Sequence, residues 1–242
     1  MTADPDLAGD GPQDHIGRAP IEFPELVALT AAVMALNALA IDMMLPALGI
    51  IGMELGAASD NDRQLVVVVY VLGNGIAQLF FGPLVDRFGR RPILLFALFG
   101  YILGSALSVI ASNFALLLAA RAFQGVTTAA TRVAIIAVVR DLTLGRRMAE
   151  VMSLAITVFM AAPILAPSFG QLVLMATPWR GIFLVLLLYA VVLAMWILWR
   201  LPETQKPADR RRLNASRILG AYREFLATRQ TLGYTLISAL SF

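Results

Sequence analysis

The sequence predicts an all-α membrane protein with six complete transmembrane helices and the start of a seventh. Of its 242 residues, 59% are hydrophobic and only 14% are charged, whereas a soluble domain has about 45–50% apolar and about 25% charged residues. The hydrophobic residues lie in long runs, each near the roughly 20 residues that cross a bilayer as a helix. These runs lack the alternation of barrel strands, so helices are the predicted way of satisfying the backbone in lipid.

Four regions follow one another along the chain. Residues 1–24 are rich in Asp, Gly and Pro and predict a disordered tail that lacks the features of a signal peptide. Residues 25–201 predict a six-helix transmembrane bundle. Its apolar runs are residues 26–51, 65–85, 92–111, 114–139, 148–175 and 179–201. Residues 202–230 form a basic loop, and residues 231–242 predict about half of a seventh helix.

The distribution of Lys and Arg predicts the orientation in the membrane. The connections after the second, fourth and sixth runs carry 14 of the 19 basic residues, while the opposite connections carry only Arg63 and Arg180. Since positively charged loops remain in the cytoplasm, the amino terminus and these three connections are predicted to be cytoplasmic. The basic pI of about 9.7 is therefore attributed to membrane orientation, and no nucleic-acid partner is expected.

The connection between the second and third runs concentrates charge in a tight turn. Residues 82–92 read GPLVDRFGRRP. Gly82 and Gly89 permit close backbone approach, and Asp86 is expected to lie against the positive amino terminus of the third helix. A solvated cytoplasmic loop could also carry such charges. The complete spacing, however, resembles the loop signature G-x-L-x-D-R-x-G-R-R of the major facilitator superfamily.

Other stretches resemble the same superfamily. Residues 121–125, RAFQG, resemble its fourth-helix motif R-x-x-Q-G, and residues 162–170, APILAPSFG, are similar to the fifth-helix motif of its antiporters. Similarity to the Bcr/CflA, bicyclomycin-resistance type of drug:proton antiporter extends over residues 41–48, 140–141, 179–180 and 201–204. The resemblance implies two six-helix halves, each of 3+3 inverted repeats, with a substrate cavity at the midplane between them. This sequence supplies one half. The implied partners are membrane lipid, protons, a small-molecule substrate, and the missing carboxy-terminal half or a second copy.

Nine residues of the loop and fifth-helix motifs are the implied conformational elements. They are Gly82, Asp86, Arg87, Gly89, Arg90, Arg91, Pro163, Pro167 and Gly170. In the fifth helix, Ala162 stands where the antiporter motif usually has Gly. Both prolines remove a backbone hydrogen bond, so they predict a kinked helix, serving either antiport or simply bent packing.

Three ionisable residues lie well inside the predicted spans: Asp42, Arg121 and Arg132. Such residues are costly in hydrocarbon and usually face a cavity or a partner. At 1.5 Å per residue, Asp42 and Arg121 both lie roughly 9–11 Å below the outer boundary, so they are predicted to share a layer. We hypothesise that Asp42 carries the proton and that Arg121 tunes it. An uninvolved interfacial Asp42 and a purely structural Arg121 are the alternatives.

The predicted substrate cavity combines Arg132 with uncharged residues of the first, second and fourth helices. These are Asn37, Met43, Asn74, Gln78, Gln124 and Thr128. Arg132 follows Arg121 by eleven residues, which returns to nearly the same face of a helix. Polar groups between membrane helices can alternatively serve helix packing.

These features predict a proton-coupled exporter of small amphipathic compounds that works by alternating access in a bacterial inner membrane. A metabolite or sugar carrier of the same fold is an alternative, as is a non-transporting or dimerising six-helix fragment. The sequence has no Cys, a single His and no P-loop motif, which disfavours an enzyme, a metal centre and ATP-driven pumping. No cofactor is expected.

Overall fold

The computed structural model describes residues 21–59 and 61–205, in which seven α-helices and two 3-10 turns follow one another. The helices are α1 Phe23–Asp42, α2 Leu48–Leu55, α3 Leu65–Phe88, α4 Arg90–Val109, α5 Phe114–Leu142, α6 Arg146–Ala176 and α7 Arg180–Arg200. Six segments of this part of the chain are long and apolar enough to cross a membrane, α1 and α2 together forming the first. The predicted all-α class with six spans is confirmed. Helix α1 begins at Phe23, within the last two residues of the predicted tail 1–24. Residues 1–20 of that tail, residues 206–230 of the predicted loop 202–230 and the start of a seventh helix lie outside the described residues.

The first span is interrupted in its middle, although the apolar run 26–51 is continuous. Helix α1 ends at Asp42, a 3-10 turn covers Leu45–Ala47, and α2 continues to Leu55. Pro46 has no N–H, so the carbonyl of the residue four positions earlier loses its helical partner. Helix α2 is capped by Gly56, whose φ of 72° is left-handed, as is common after a helix.

Helix α5 lies at the centre of the bundle because small residues line it. Its buried positions are mostly Ala, Thr and Gly, which let neighbouring helices approach closely, and it packs against α3, α4 and α1. At Gly125, an added Cβ would stand 2.1 Å from the Tyr70 carbonyl oxygen. In an apolar stretch of 18 residues from each span, 67% of the residues are buried in α5, against 22% in α3 and 11% in α6. Helix α6 packs mainly on α1.

Glycine and proline mark two further places in the helices. Gly89 alone separates α3 from α4, and its φ of 102° is a conformation that other residues rarely adopt. Helix α6 is assigned as one helix from Arg146 to Ala176 although it contains Pro163 and Pro167. The kink predicted at these prolines stays a prediction.

The helices alternate in direction, so the bundle has two distinct ends. Arg90 at the start of α4 pairs with Asp141 at the end of α5, at 3.0 Å. We call this the arginine-rich end, and it also contains the start of α1 and the end of α7. At the opposite end, Glu54 of α2 pairs with Arg180 at the start of α7.

Candidate functional site

Arg121 lies fully buried at the centre of the bundle and connects three helices. Its Nε donates to the Val66 carbonyl of α3 at 3.1 Å, and its Nη2 donates to the Ala40 carbonyl of α1 at 2.9 Å. Its Nη1 donates to Gln124 Oε1 within α5 at 2.5 Å. The guanidinium carbon also stands 4.3 Å from the centre of the Tyr70 ring, a cation–π distance. Carbonyl and amide oxygens and an aromatic face thus surround this cation.

Asp42 lies near Arg121 without pairing with it. It is the last residue of α1, half-buried, and two positions after the Ala40 carbonyl to which Arg121 donates. The Arg121 guanidinium therefore reaches the backbone of the first span two residues before Asp42. Within residues 21–59 and 61–205, Asp42 makes no side-chain hydrogen bond and no ion pair. The tuning of Asp42 by Arg121 stays a prediction.

Asn37 and Asn74 are brought together with Tyr70, which sequence reasoning had not selected. The Tyr70 hydroxyl donates to Asn37 Oδ1 at 2.7 Å, and Asn74 Nδ2 donates to the same oxygen at 3.2 Å. Asn74 Nδ2 also donates to the Gly125 carbonyl at 3.4 Å. Because a backbone carbonyl only accepts, it orients the amide of Asn74, which in turn orients that of Asn37. Gln78, one turn further along α3, is half-buried and makes no side-chain hydrogen bond to the described part of the chain.

Three residues predicted to line a cavity are instead buried between helices. Gln124 is fully buried and donates to Ser105 Oγ of α4 at 2.7 Å. Thr128, also fully buried, donates to the Gln124 carbonyl at 2.5 Å, and Met43 belongs to the hydrophobic core. The close approach of the helices around α5 uses these groups for packing. These three residues were predicted to line the substrate cavity, but in the described six-helix bundle they are packed between helices, and the prediction for them is corrected accordingly.

Arg132 differs from Arg121 in its surroundings, although the two lie on nearly the same face of α5. Arg121 is fully buried, whereas Arg132 is exposed and makes no ion pair within the described ranges. The predicted polar stripe of α5 therefore runs from the interior of the bundle to its surface.

At the arginine-rich end, Arg90 holds the ends of several helices together. Its guanidinium pairs with Asp86 and Asp141, each at 3.0 Å, and donates to the Val85 carbonyl at 2.9 Å. Its backbone N–H donates to Glu203 Oε1 at 3.0 Å. The carboxylate that accepts from the first backbone N–H of α4 is thus that of Glu203. Asp86 meets the start of α4 through the guanidinium four residues later.

The other residues of the loop motif have separate surroundings. An added Cβ at Gly89 would lie 2.5 Å from the Glu203 carboxylate, so this close contact requires glycine. Arg91 donates to a carbonyl of α7 at 2.7 Å, whereas Arg87 is exposed. No described atom lies within 4 Å of a Cβ built at Gly82. No group of three or more potential metal ligands occurs among His, Cys, Asp and Glu of the described residues.

The fifth-helix motif faces the bundle with part of its length. Gly170 is buried, Pro167 is half-buried and Pro163 is exposed. Ala166, one turn before Gly170, is fully buried, so these two small residues mark the face that packs inward.

The first span is joined to α7 at both ends by the same kinds of side chain. The two sets are Glu25 with Trp196 and Arg200 at the arginine-rich end, and Glu54 with Trp179 and Arg180 at the opposite end. In each set an indole N–H and a guanidinium donate to one carboxylate. The indole distances are 3.1 Å to Glu25 and 2.7 Å to Glu54. The first span is therefore fixed to α7 at both ends.

A comparison with protein families agrees with this architecture. The family model of the Major Facilitator Superfamily matches residues 30–242 of this sequence. The chain belongs to the major facilitator superfamily.

Curated relatives of this major facilitator chain are about twice its length. It is 33% identical over 213 residues to the uncharacterised MFS-type transporter YdgK of Bacillus subtilis, covering 87% of the chain and 53% of that protein. It is 32% identical over 195 residues to the multidrug resistance protein MdtL of Escherichia coli, covering 79% of the chain and 50% of that protein. The chain thus spans about half the length of these relatives.

A solved structure shares the fold of this major facilitator chain. The human organic anion transporter MFSD10 (TETRAN) matches with a TM-score of 0.62 at 23% identity, covering 80% of this chain and 50% of that one. The six spans correspond to one half of a major facilitator fold, the amino-terminal half.

Several contacts of this major facilitator chain were not predicted from its sequence, for different reasons. Tyr70 had a usable signal, because it precedes Asn74 and Gln78 by four and eight residues and so shares their helix face. Glu25 and Glu54 flank the first apolar run, but nothing local to them indicates that their partners lie on α7. Long-range pairing of this kind depends on how the helices pack.

Proposed function

We propose that this chain is the amino-terminal half of a proton-coupled exporter of small amphipathic compounds. The exporter works by alternating access in a bacterial inner membrane, with the amino terminus in the cytoplasm. Similarity to MdtL, which is named a multidrug resistance protein, supports the substrate class. The positive connections of the arginine-rich end support the orientation.

The observation that carries the proposal is the isolation of Asp42. Its side chain is half-buried in the middle of the first span and has no hydrogen-bond or ion-pair partner among the described residues. An ionisable group at this depth is costly and is typically found on ion or substrate pathways. A carboxyl group without a permanent partner can alternate between its neutral and charged forms, as a proton carrier must.

Arg121 supplies a fixed positive charge beside this site. Its donors already bind oxygens of α1, α3 and α5, so the guanidinium is held in place rather than moving with the substrate. A nearby cation favours the ionised form of a carboxyl group, while desolvation favours the neutral form. Opposed influences of this kind suit an acid that must both bind and release a proton.

Transport follows if the proton and the substrate compete for the same state of the carrier. In the inward-open state the substrate displaces the proton from Asp42. After the substrate has left on the outside, a proton binds from outside and the carrier returns to the inward-open state. A ligand shifts a two-state equilibrium only by its differential affinity for the two states. Exclusive occupancy at one carboxyl group therefore couples the two flows.

The proposed partner is a second six-helix half, either the carboxy-terminal half of a longer protein or a second copy. Helices α3 and α6 are the least buried spans, which supports their placement toward that half. Asp86 keeps 38% of its side chain exposed despite its pair with Arg90, so the loop motif is also accessible to a partner. Lipid covers the remaining apolar surface.

Efflux driven by an imposed proton gradient tests the role of Asp42. Asp42→Asn keeps the size of the side chain but cannot release a proton, so we expect gradient-driven efflux to be lost while the protein stays in the membrane. Glu150→Gln, at an exposed ion pair of the arginine-rich end, is the control and should transport normally. Unchanged gradient-driven efflux in Asp42→Asn would remove the basis of the proposal.

Survival on a panel of toxic compounds, compared with metabolite uptake, distinguishes a drug exporter from a metabolite carrier.

Orientation is tested separately with single cysteines, because the sequence contains none. Leu144 and Met53, both 80% exposed, lie at the arginine-rich and the opposite end. An impermeant thiol reagent added to intact cells should label Met53→Cys and leave Leu144→Cys unlabelled. The reverse pattern would invert the proposed topology.

A further inference from the structure

Gly170 of the fifth-helix motif contacts the interruption of the first span. We propose that Gly170 is a positioning residue for Asp42, fixing where its carboxyl group stands by allowing α6 to touch the backbone immediately after it. The inference rests on the proposed function in one respect, since it gives Gly170 a role in proton coupling only if Asp42 carries the proton. The geometric part of the inference is independent of transport.

The contact between Gly170 and the first span is made by backbone rather than by side chains. A Cβ added at Gly170 would stand 2.0 Å from the Met43 carbonyl oxygen, 2.9 Å from its carbon and 3.1 Å from its Cα. A flexible side chain could rotate away from such an atom, but a peptide unit cannot. Any larger residue at position 170 must therefore displace either α6 or the turn that follows Asp42.

The Met43 carbonyl is available for this contact because of Pro46. Proline has no N–H, so it cannot donate to the carbonyl three or four residues before it, and Ala47 donates to Met44 instead. The turn, loop and cap hydrogen bonds of the described residues include none to the Met43 carbonyl. The Met43 carbonyl oxygen lies where a side chain at position 170 would begin.

A displacement at Met43 is passed on to Asp42. The Met43 N–H donates to the Leu39 carbonyl at 3.2 Å, which ties the turn to the last helical residues of α1. Asp42 itself has no side-chain partner in the described part of the chain that would hold its carboxyl group against such a movement. Its exposure is therefore set by the spacing between α6 and the turn.

A reporter thiol measures this spacing without reference to transport. Asp42→Cys introduces one thiol into these 242 residues, which contain no cysteine. In the intact protein, its rate of modification by a small charged thiol reagent reports the access of water to position 42. Adding Gly170→Ala to this background should raise the rate by about tenfold, because α6 moves away from the turn and a more accessible thiol reacts faster. Gly75→Ala, where a Cβ meets no described atom within 4 Å, is the matched control and should leave the rate unchanged.

A second variant covers the case in which Gly170→Ala does not fold. Ala166→Gly removes a Cβ from the same buried face one turn earlier, so α6 can move toward the first span instead of away from it. We expect it to change the labelling rate in the opposite direction. Equal rates in the reporter alone and in both α6 variants would overturn the positioning role.

The two proposals fail in different experiments. If Asp42→Asn transports normally but Gly170→Ala changes the labelling rate, the positioning is correct and the proton-carrying role is wrong. If the labelling rates are equal but Asp42→Asn abolishes gradient-driven efflux, Asp42 carries the proton and Gly170 does not position it. In the wild-type background, a Gly170→Ala protein that positions Asp42 poorly should also move fewer protons per substrate, which a loss of folded protein alone would not change.

Discussion

Replacing Arg121 with Lys tests whether the bundle depends on the shape of this side chain or only on its charge. The three hydrogen bonds of Arg121 lead to α1, α3 and α5, and a compact ammonium cannot reproduce the planar fork that makes them. At about 1 kcal/mol for each hydrogen bond, losing two of them costs about 2 kcal/mol. Losing the stacking on Tyr70 adds about 0.5–1 kcal/mol. We therefore expect Arg121→Lys to lower the free energy of unfolding by about 2–3 kcal/mol.

The measurement is unfolding of the protein in mixed micelles by titration with a denaturing detergent. Arg132→Lys is the matched control on the same helix, because Arg132 is exposed and makes no ion pair with the described residues. Its free energy of unfolding should change by less than about 0.5 kcal/mol. If the two variants are equally stable, the hydrogen bonds of Arg121 do not stabilise the bundle and the reasoning fails.

Three other substitutions are predicted to act through contacts described above. Gly125→Ala places a Cβ 2.1 Å from a carbonyl of α3 and should cost about 3 kcal/mol in the same unfolding assay; a stable variant would contradict the close α3–α5 packing. Gly89→Ala must adopt a φ of 102° and should cost about 2 kcal/mol, whereas Gly75→Ala should change stability by less than about 1 kcal/mol. Glu54→Gln removes the charge partner of Arg180 and should lower the melting temperature slightly at low salt, with the difference shrinking at high salt. A salt-independent difference would indicate that the charge is not what matters.

The number and order of the spans could be predicted because hydrophobic length is a local property of the sequence. Each run of about 20 apolar residues needs no knowledge of its neighbours to be recognised as a membrane helix. The interruption after Asp42 is also local in origin, since Pro46 causes it. The residues on both sides of Pro46 are apolar, however, so hydrophobicity alone predicts one continuous span. The junction of α3 and α4 at Gly89 could be located approximately, because Gly89 belongs to the loop motif of residues 82–92.

The surroundings of the candidate site could not be predicted in the same way. The sequence placed Asp42 and Arg121 at a similar depth, but it could not show that Arg121 would bind the Ala40 carbonyl instead of the carboxylate. That choice depends on how each helix is rotated about its own axis. The same applies to Glu203, which reaches the start of α4 from 113 residues along the chain. Residues predicted on a shared face, such as Arg121 and Arg132, also separate once other helices cover only part of that face.

The attachment of the first span to α7 at both ends has a mechanical consequence. A helix that slid along its axis by one turn, about 5.4 Å, would pull both glutamates away from their indole and guanidinium donors. A helix that bends between fixed supports keeps both attachments, and the interruption at residues 43–47 is the place where the hydrogen-bond ladder is already open. We therefore expect any change of shape that preserves the two attachments to occur at this interruption, beside Asp42, while the ends of the first span remain attached to α7.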